Sequence, residues 1–417
     1  MKTLDRLHDD VAMHTPTRAT PRMPRLSRRG AYAVLLVGPC LLFILTTFAL
    51  PIGVMLFRSV HDPDLAETLP RTAVAFADWS GDGLPPAALV RTFAEDVVAA
   101  AQAQTIGLAA RRLNFEVPGF RGLLLQTARA LKEPAAPATL ERFIEIDARW
   151  RDATYWRAIK AAAPRYTIRY FLAALGLEPG ADGAIVQSSP ERAIYPALLA
   201  RTIWVGLVVT VLCLLLGYPV AFLLATVPAR LRNLLMLLLL LPFWTSLLVR
   251  TTAWLVLLQN EGVVNGALMW IGLLDEPHQL IRNRLGVYVA MTHILLPFMV
   301  LPVFSVMKGI SPVLMRAAYS LGSGPVRAFW RIYLPQTLPG IGAGALLVFI
   351  MALGYYITPA LVGGPGDQLL SYFIAENASA TLNWGMAAAL SLVLMLCVGA
   401  AFVLFARVAG PQNLRLR

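Results

Sequence analysis

The sequence predicts an all-α integral membrane protein, with six transmembrane helices and a mostly helical soluble insertion between the first and the second. Three observations carry that prediction. Hydrophobic residues make up 57% of the 417 residues and charged residues only 14%, with a mean hydropathy of +0.63, far from the composition of soluble domains. Several apolar runs reach the ~20 residues that suffice to cross a bilayer. Residues 58–196, in contrast, mix acids with bases and hold no run of that length. The net charge of +12 fits this class, because basic residues of membrane proteins gather in cytoplasmic loops. It is not read as a nucleic-acid footprint.

Taken in order, residues 1–30 are rich in Pro, Thr and Arg and read as a disordered cytoplasmic tail. The run 31–57 follows Arg18, Arg22, Arg25, Arg28 and Arg29 and is the expected first transmembrane helix. A cleaved signal peptide would have a shorter apolar core and a small-residue cleavage site. Residues 58–196 show helical patterning at 87–112, 120–132, 138–162 and 165–176, broken by Pro118–Gly119, by 134–137 and by Pro164. That is the size of one small domain. Trp150, Tyr155, Trp156, Tyr166, Tyr170 and Phe171 are its expected core, with a ligand cage as the alternative use of the same rings. The membrane pattern resumes in a five-helix core at 198–409, with spans at about 200–227, 233–258, 286–306, 338–361 and 386–408, and a short tail, 410–417, follows.

The short loops set the orientation. Those on one side carry Arg230 and Arg232, then Lys308, Arg316, Arg327 and Arg331, then Arg407, Arg415 and Arg417. Loops 259–285 and 362–385 on the other side carry Arg282 and Arg284 against Glu261, Asp275, Glu276, Asp367 and Glu376. The positive-inside rule therefore predicts both termini in the cytoplasm and the insertion outside, since long domains cross regardless of their charge.

The segment 307–337, on the inner side, reads as two short amphipathic helices around a glycine. Ser311 can cap the first, with Pro312 at its opening position. Val313, Leu314, Ala317, Ala318 and Leu321 fall on one face, and Gly322 supplies a left-handed stop. Pro325 opens the second helix, Val326, Phe329, Trp330 and Tyr333 make its apolar stripe, and Pro335 is expected to end it. Between Met307 and Pro339 there are four bases and no carboxylate.

No phosphate-binding G-x-x-x-x-G-K-[ST] loop, catalytic triad or zinc motif occurs, so no catalytic residue, metal or cofactor is assigned to this chain. Cys40, Cys213 and Cys397 all lie in apolar runs, which argues against a disulfide framework. A secondary transporter usually carries carboxylates or histidines within its spans, and proton coupling depends on them. Here the five outer-loop acids are the only carboxylates of the last 220 residues, and His293 is the one histidine in a span. Arg250 is the one charge well inside a span. Counted along a straight helix it lies about 25 Å from the inner end, where snorkelling explains it and a pore role is the alternative. Gly354 and Pro359 interrupt the fifth span around Tyr355, Tyr356 and Thr358, which reads either as a kink or as a broken helix lining a substrate path. Residues 259–273 are apolar but too short to span, as a re-entrant or interfacial segment would be.

At 315–335 the sequence resembles the cytoplasmic EAA coupling loop of ABC-importer permeases, through Ala317, Ala318, Leu321, Gly322, Phe329, Ile332, Leu334 and Pro335. LLLGYPVAFLLA at 214–225, LLVRTTAW at 247–254, GYYITPALVGGP at 354–365 and LNWGMAAALSLVL at 382–394 resemble the spermidine/putrescine-type subfamily. The resemblance implies that this chain lies in the bacterial inner membrane with a second permease subunit, that two ATPase subunits consume ATP at the cytoplasmic coupling loops, and that an external binding protein delivers the solute. The chain departs from the pattern in two places: Arg316 stands where the motif opens with glutamate, and the insertion 58–196 is far longer than the first outer loop usual in the family. For a polyamine, Glu261, Asp367 and Glu376 are the candidate carboxylates, beside the candidate path residues Arg250, Tyr355, Tyr356 and Thr358. A secondary transporter or channel working alone, and an interaction protein acting through 58–196, are the competing readings.

Overall fold

The computed structural model describes residues 28–132, 138–180 and 184–409. The predicted tails, 1–30 up to Ser27 and all of 410–417, lie outside the described residues, as does the proline-alanine stretch 134–137. The chain forms two compact units, one ending at Val54 and one beginning at Met55.

The first helical stretch runs from Arg28 to Ile44, passes through a π turn at Leu45–Ala49 and continues as the helix Leu50–Phe57, whose last three residues belong to the second unit. Its apolar part, Leu35–Phe57, is 23 residues long. The wide turn precedes Pro51, whose ring would clash with a carbonyl of a regular α-turn. The Thr46 and Thr47 hydroxyls donate to the Leu42 and Phe43 carbonyls at 2.8 and 2.6 Å, which satisfies acceptors within the loosened turn.

In the second unit, the insertion packs its helices, among them Pro70–Ala77, Ala87–Gln102, Ile106–Glu116, Phe120–Ala130 and Ala153–Ala162, around an aromatic core. Phe76, Phe93, Phe120, Phe143, Trp150 and Trp156 are fully buried. The two indoles lie 4.7 Å apart, and each finds an acceptor: Trp150 Nε1 donates to Thr127 Oγ1 and Trp156 Nε1 to the Trp150 carbonyl, both at 2.9 Å. A buried indole needs such a partner. A two-stranded hairpin, Leu177–Pro179 with Ile185–Gln187, then leads into the membrane core.

Three of the six aromatic residues expected in the insertion core lie elsewhere. Tyr166 is 66% exposed. Tyr170 and Phe171 pack instead on Leu198, Leu370, Met386 and Leu390 of the membrane core. Helical spacing identifies a buried face but not what buries it. The Tyr170 ring occupies the space that any side chain at Gly385 would fill. Its hydroxyl donates to Asp62 Oδ2 at 2.8 Å. Arg112 Nε donates to the same carboxylate, and its two terminal nitrogens donate to Glu116 Oε1 at 3.0 Å. Glu116 also pairs with Arg169 at 2.8 Å. Two cations thus meet two anions, so charge balances in this buried cluster as burial requires. Burial raises the Tyr170 phenol above its ordinary value, which keeps it the donor.

Helices Ile194–Thr226, Arg284–Gly309 and Pro325–Gly354 form the centre of the membrane core, around Val205, Val209, Met291, Leu295, Met299 and Val348. Close approach depends on small residues: a Cβ at Gly344 would stand 2.8 Å from Met299 Sδ, and one at Gly340 would stand 3.0 Å from the Pro302 carbonyl. Among the described residues five helices are long and apolar enough to cross a membrane, and a bent pair adds a sixth if it is one span.

That bent pair is the expected span 233–258, which is not one straight helix. Ala229–Trp244 and Leu247–Leu257 meet at 99°. Pro242 lacks the N–H that would continue the first arm, and Ser246 is extended at ψ 154° and caps the second, its Oγ accepting from Val249 N at 3.2 Å. The expected span 338–361 also breaks, at Tyr355, between Leu334–Gly354 and the short helix Ile357–Val362.

Candidate functional site

In the basic segment 307–337, Pro312–Ser320 forms a helix capped by Ser311, whose Oγ accepts from Val313 N at 3.4 Å. Gly322 stops it at φ +79°, where Ser323 N reaches back to the Ala318 carbonyl at 3.0 Å. The second helix opens at Pro325, but Pro335 does not end it. The helix runs unbroken from Pro325 to Gly354. A π turn at Phe329–Tyr333 widens the backbone just before the proline, the same arrangement that precedes Pro51. Gln336 Nε2 donates to the Ile332 carbonyl at 2.8 Å and Thr337 Oγ1 to the Leu334 carbonyl at 2.7 Å, so side chains take up acceptors that the irregular turn exposes.

The apolar stripe of this second helix divides. Phe329 and Tyr333 turn inward onto Tyr218 and Phe222, with ring centroids 5.6–6.2 Å apart. Val326 and Trp330 turn outward, the tryptophan 62% exposed. In the first helix Ala318 is buried, whereas Val313, Leu314 and Tyr319 are exposed and Leu321 is 89% exposed. Arg316, Ala317, Gly322 and Pro335 are exposed, and Ile332 and Leu334 are half-buried. The loop is therefore pinned by Ala318, Ala328 and Phe329 and presents an apolar surface studded with Arg316, Arg327 and Arg331.

At the opposite end of these helices the broken segments meet. Thr358, fully buried, lies 3.1 Å from Thr251 across the two breaks. Because Thr251 Oγ1 donates to the Leu247 carbonyl at 2.9 Å, the proton between the two hydroxyls comes from Thr358. Arg250 is one residue from Thr251, in the first turn after the 99° bend, so its depth cannot be counted along a straight helix. Its guanidinium stands 5.9 Å from the Phe243 ring, and its buried Nε has no hydrogen-bond acceptor among the described residues. Tyr355 is half-buried against the membrane core, and its carbonyl accepts from Ser371 Oγ at 2.6 Å; Tyr356 is exposed.

The three candidate carboxylates differ in their engagement. Asp367 uses both oxygens, one toward Arg284 Nε at 3.1 Å and the other accepting from Gly364 N at 3.1 Å, and so ties the two loops 259–285 and 362–385 together. Glu261 is exposed and Glu376 half-buried, and neither makes an ion pair among the described residues. Of the predicted path residues, Thr358 is bonded to Thr251, the residue that follows Arg250, the Arg250 charge acts on Tyr355, and Asp367 is engaged by Arg284. Sequence reading misses Thr251 and Arg284. It also misses the Tyr218–Phe222 pair, whose spacing of four residues is a legible signal for one helix face. The short segment 259–273 contains the helix Val263–Trp270, held by buried Asn265, which donates to the Gln259 and His278 carbonyls at 3.0 and 2.9 Å.

Comparison with known proteins adds the family. Residues 214–410 match the family described as "Binding-protein-dependent transport system inner membrane component". The spermidine/putrescine transport system permease protein PotB of Salmonella typhimurium is 35% identical over 220 residues, covering 53% of this chain and 77% of that protein. The PotB of Haemophilus influenzae is 34% identical over 203 residues, 48% of this chain and 71% of that one. The inner membrane ABC transporter permease protein YdcU of Escherichia coli is 32% identical over 222 residues, 49% of this chain and 70% of that one. Among solved structures, that of a bacterial ABC transporter involved in the import of the acidic polysaccharide alginate aligns over 51% of this chain and 80% of its own, at 22% identity and a TM-score of 0.41. The chain belongs to the binding-protein-dependent inner-membrane permeases, the transmembrane subunits of ABC importers.

Proposed function

We propose that this chain, paired with a second permease subunit, forms the translocation path for a polyamine or a related small solute, delivered by an external binding protein. ATP is hydrolysed by two partner ATPase subunits that dock at 311–335, and this chain binds no cofactor of its own. Both termini and the docking loop face the cytoplasm, in line with the basic short loops. The polyamine class comes from the similarity to the PotB proteins at 35% identity.

The observation that carries the docking reading is the exposed surface of Val313, Leu314, Leu321, Val326 and Trp330, apolar side chains left in solvent beside three arginines. A contiguous exposed apolar patch marks a protein contact. Arg316, where the family pattern has glutamate, fits an ATPase whose facing residue is acidic. Gly322→Pro tests the role: proline fixes φ near −65°, incompatible with the +79° of Gly322. Uptake by the reconstituted importer is expected to vanish while membrane insertion persists, and normal uptake would refute the docking role. Titration of the cognate binding protein with polyamines, amino acids and other solutes tests the substrate separately.

A further inference from the structure

The foot of the insertion carries exposed apolar groups that the transport reading does not use. Segment 165–167 is pinned to segment 60–62 by Asp62 N donating to the Arg165 carbonyl and Thr167 N to the Val60 carbonyl, both at 2.8 Å. This bridge sets the Tyr166 ring against the rings of His61, at 5.3 Å, and Phe57, at 6.4 Å. Phe57 is the last residue of the apolar span Leu35–Phe57. The interfacial layer on each side of the hydrocarbon core is about 5–8 Å deep. A ring 6.4 Å from Phe57 is no farther from the end of the apolar run than that layer is deep. Tyr166 is nonetheless 66% exposed and Ile168 is 60% exposed, and Arg58 and Arg165 beside them are exposed and form no ion pair among the described residues.

We infer that the foot of the insertion, Tyr166 and Ile168 flanked by Arg58 and Arg165, rests in the phospholipid headgroup layer at the end of the first span. Tyrosine suits that depth, its ring meeting the acyl boundary and its hydroxyl meeting water. The two arginines can extend to lipid phosphates from stems lying along the apolar surface. The occupant is lipid because this surface continues the end of a membrane span. Together with Tyr170 on Gly385, the contact would give the insertion a fixed stance on the membrane instead of a tethered one.

The inference rests on reading Leu35–Phe57 as a span, and the test separates the two. In a cysteine-free full-length chain in phospholipid vesicles, nitroxide labels are placed singly at Ile168→Cys, at Val74→Cys on the helix Pro70–Ala77, where the native side chain is 73% exposed, and at Leu42→Cys within the span. Accessibility to oxygen and to a water-soluble nickel chelate is then measured. The expected result is an interfacial depth at 168, a severalfold lower chelate accessibility there than at 74, and full immersion at 42. Water-like accessibility at 168 with immersion at 42 would overturn the anchor alone, and water-like accessibility at 42 would overturn the span itself. Dipolar broadening between labels at 168 would place a second protein copy on the surface and equally overturn the lipid contact.

Discussion

Tyr170→Phe isolates one hydroxyl in the joint between the insertion and the membrane core. The ring against Gly385 is kept, and only the 2.8 Å bond to Asp62 Oδ2 is lost. Asp62 and Arg112 are both buried, so no water replaces the donor, and a hydrogen bond to a charged group is worth about 1.5–3 kcal/mol. For a domain near the size of the insertion, residues 58–196, at about 2–4 °C per kcal/mol, the thermal midpoint is expected to fall by roughly 3–12 °C. Tyr170→Ala also removes the ring from its site beside Gly385 and should cost about 3–5 kcal/mol. Tyr166→Phe is the control, since that hydroxyl is exposed, and its effect should stay within about 0.5 kcal/mol. Tryptophan fluorescence of the purified chain, reported in the insertion by buried Trp79, Trp150 and Trp156, follows the melt. A Tyr170→Phe midpoint equal to that of the unaltered protein would refute the reasoning and leave ring packing as the whole of the joint.

Other outcomes follow from particular contacts. Gly344→Val would drive a branched side chain into Met299, whose Sδ would already stand 2.8 Å from a Cβ at that position, and should lower the yield of folded protein in detergent, read by size-exclusion chromatography. Thr358→Val removes the proton shared with Thr251 and leaves that buried oxygen one bond short, a loss of about 1–3 kcal/mol measurable in the melt. Asp147 is held below its ordinary value by the hydrogen bond from the Arg149 side chain, and Asp152 by the backbone N–H of Thr154. A depressed carboxyl stabilises the fold above its unfolded value of about 3.9 and loses that contribution as pH falls through the folded value. The insertion should therefore lose stability progressively below about pH 4, and Asp147→Asn with Asp152→Asn should flatten that dependence in an acid titration followed by fluorescence.

The spans are legible because a bilayer demands a long apolar run, a property of contiguous sequence. The 99° bend is not, although Pro242 followed by Ser246 is a stop-and-cap signal, because Phe243, Trp244 and the leucines keep the stretch apolar across the break. Pro335 reads as a terminator because proline ends an α-helix, and a π turn removes the clash on which that rule rests. Tyr170 follows the helical period of the insertion, but period reports only that a face is covered. Its partner Gly385 is more than two hundred residues away in sequence. The Asp62–Arg112–Glu116–Arg169 cluster is invisible for the same reason, since nothing local marks one arginine as buried among several exposed ones. At the candidate site, the cap at Ser311 and the stop at Gly322 are local and readable. Which side of Phe329–Trp330 faces outward depends on Tyr218 and Phe222 of another helix.

The unbroken helix Pro325–Gly354 has a mechanical consequence. Its 30 residues span about 45 Å at 1.5 Å each, so one continuous helix begins at Pro325, in the basic segment 307–337, and ends where the backbone leaves the helix at Tyr355. A tilt of about 5° around its Pro325 end carries Gly354 sideways by about 4 Å, roughly the width of a side chain. The displacement does not arrive at another long helix. It arrives at Ile357–Val362, whose Thr358 is bonded to Thr251 on the short arm beyond the bend. Small rotations at one end are thereby geared up into shifts at the other, and they are delivered to two short rods of the membrane core.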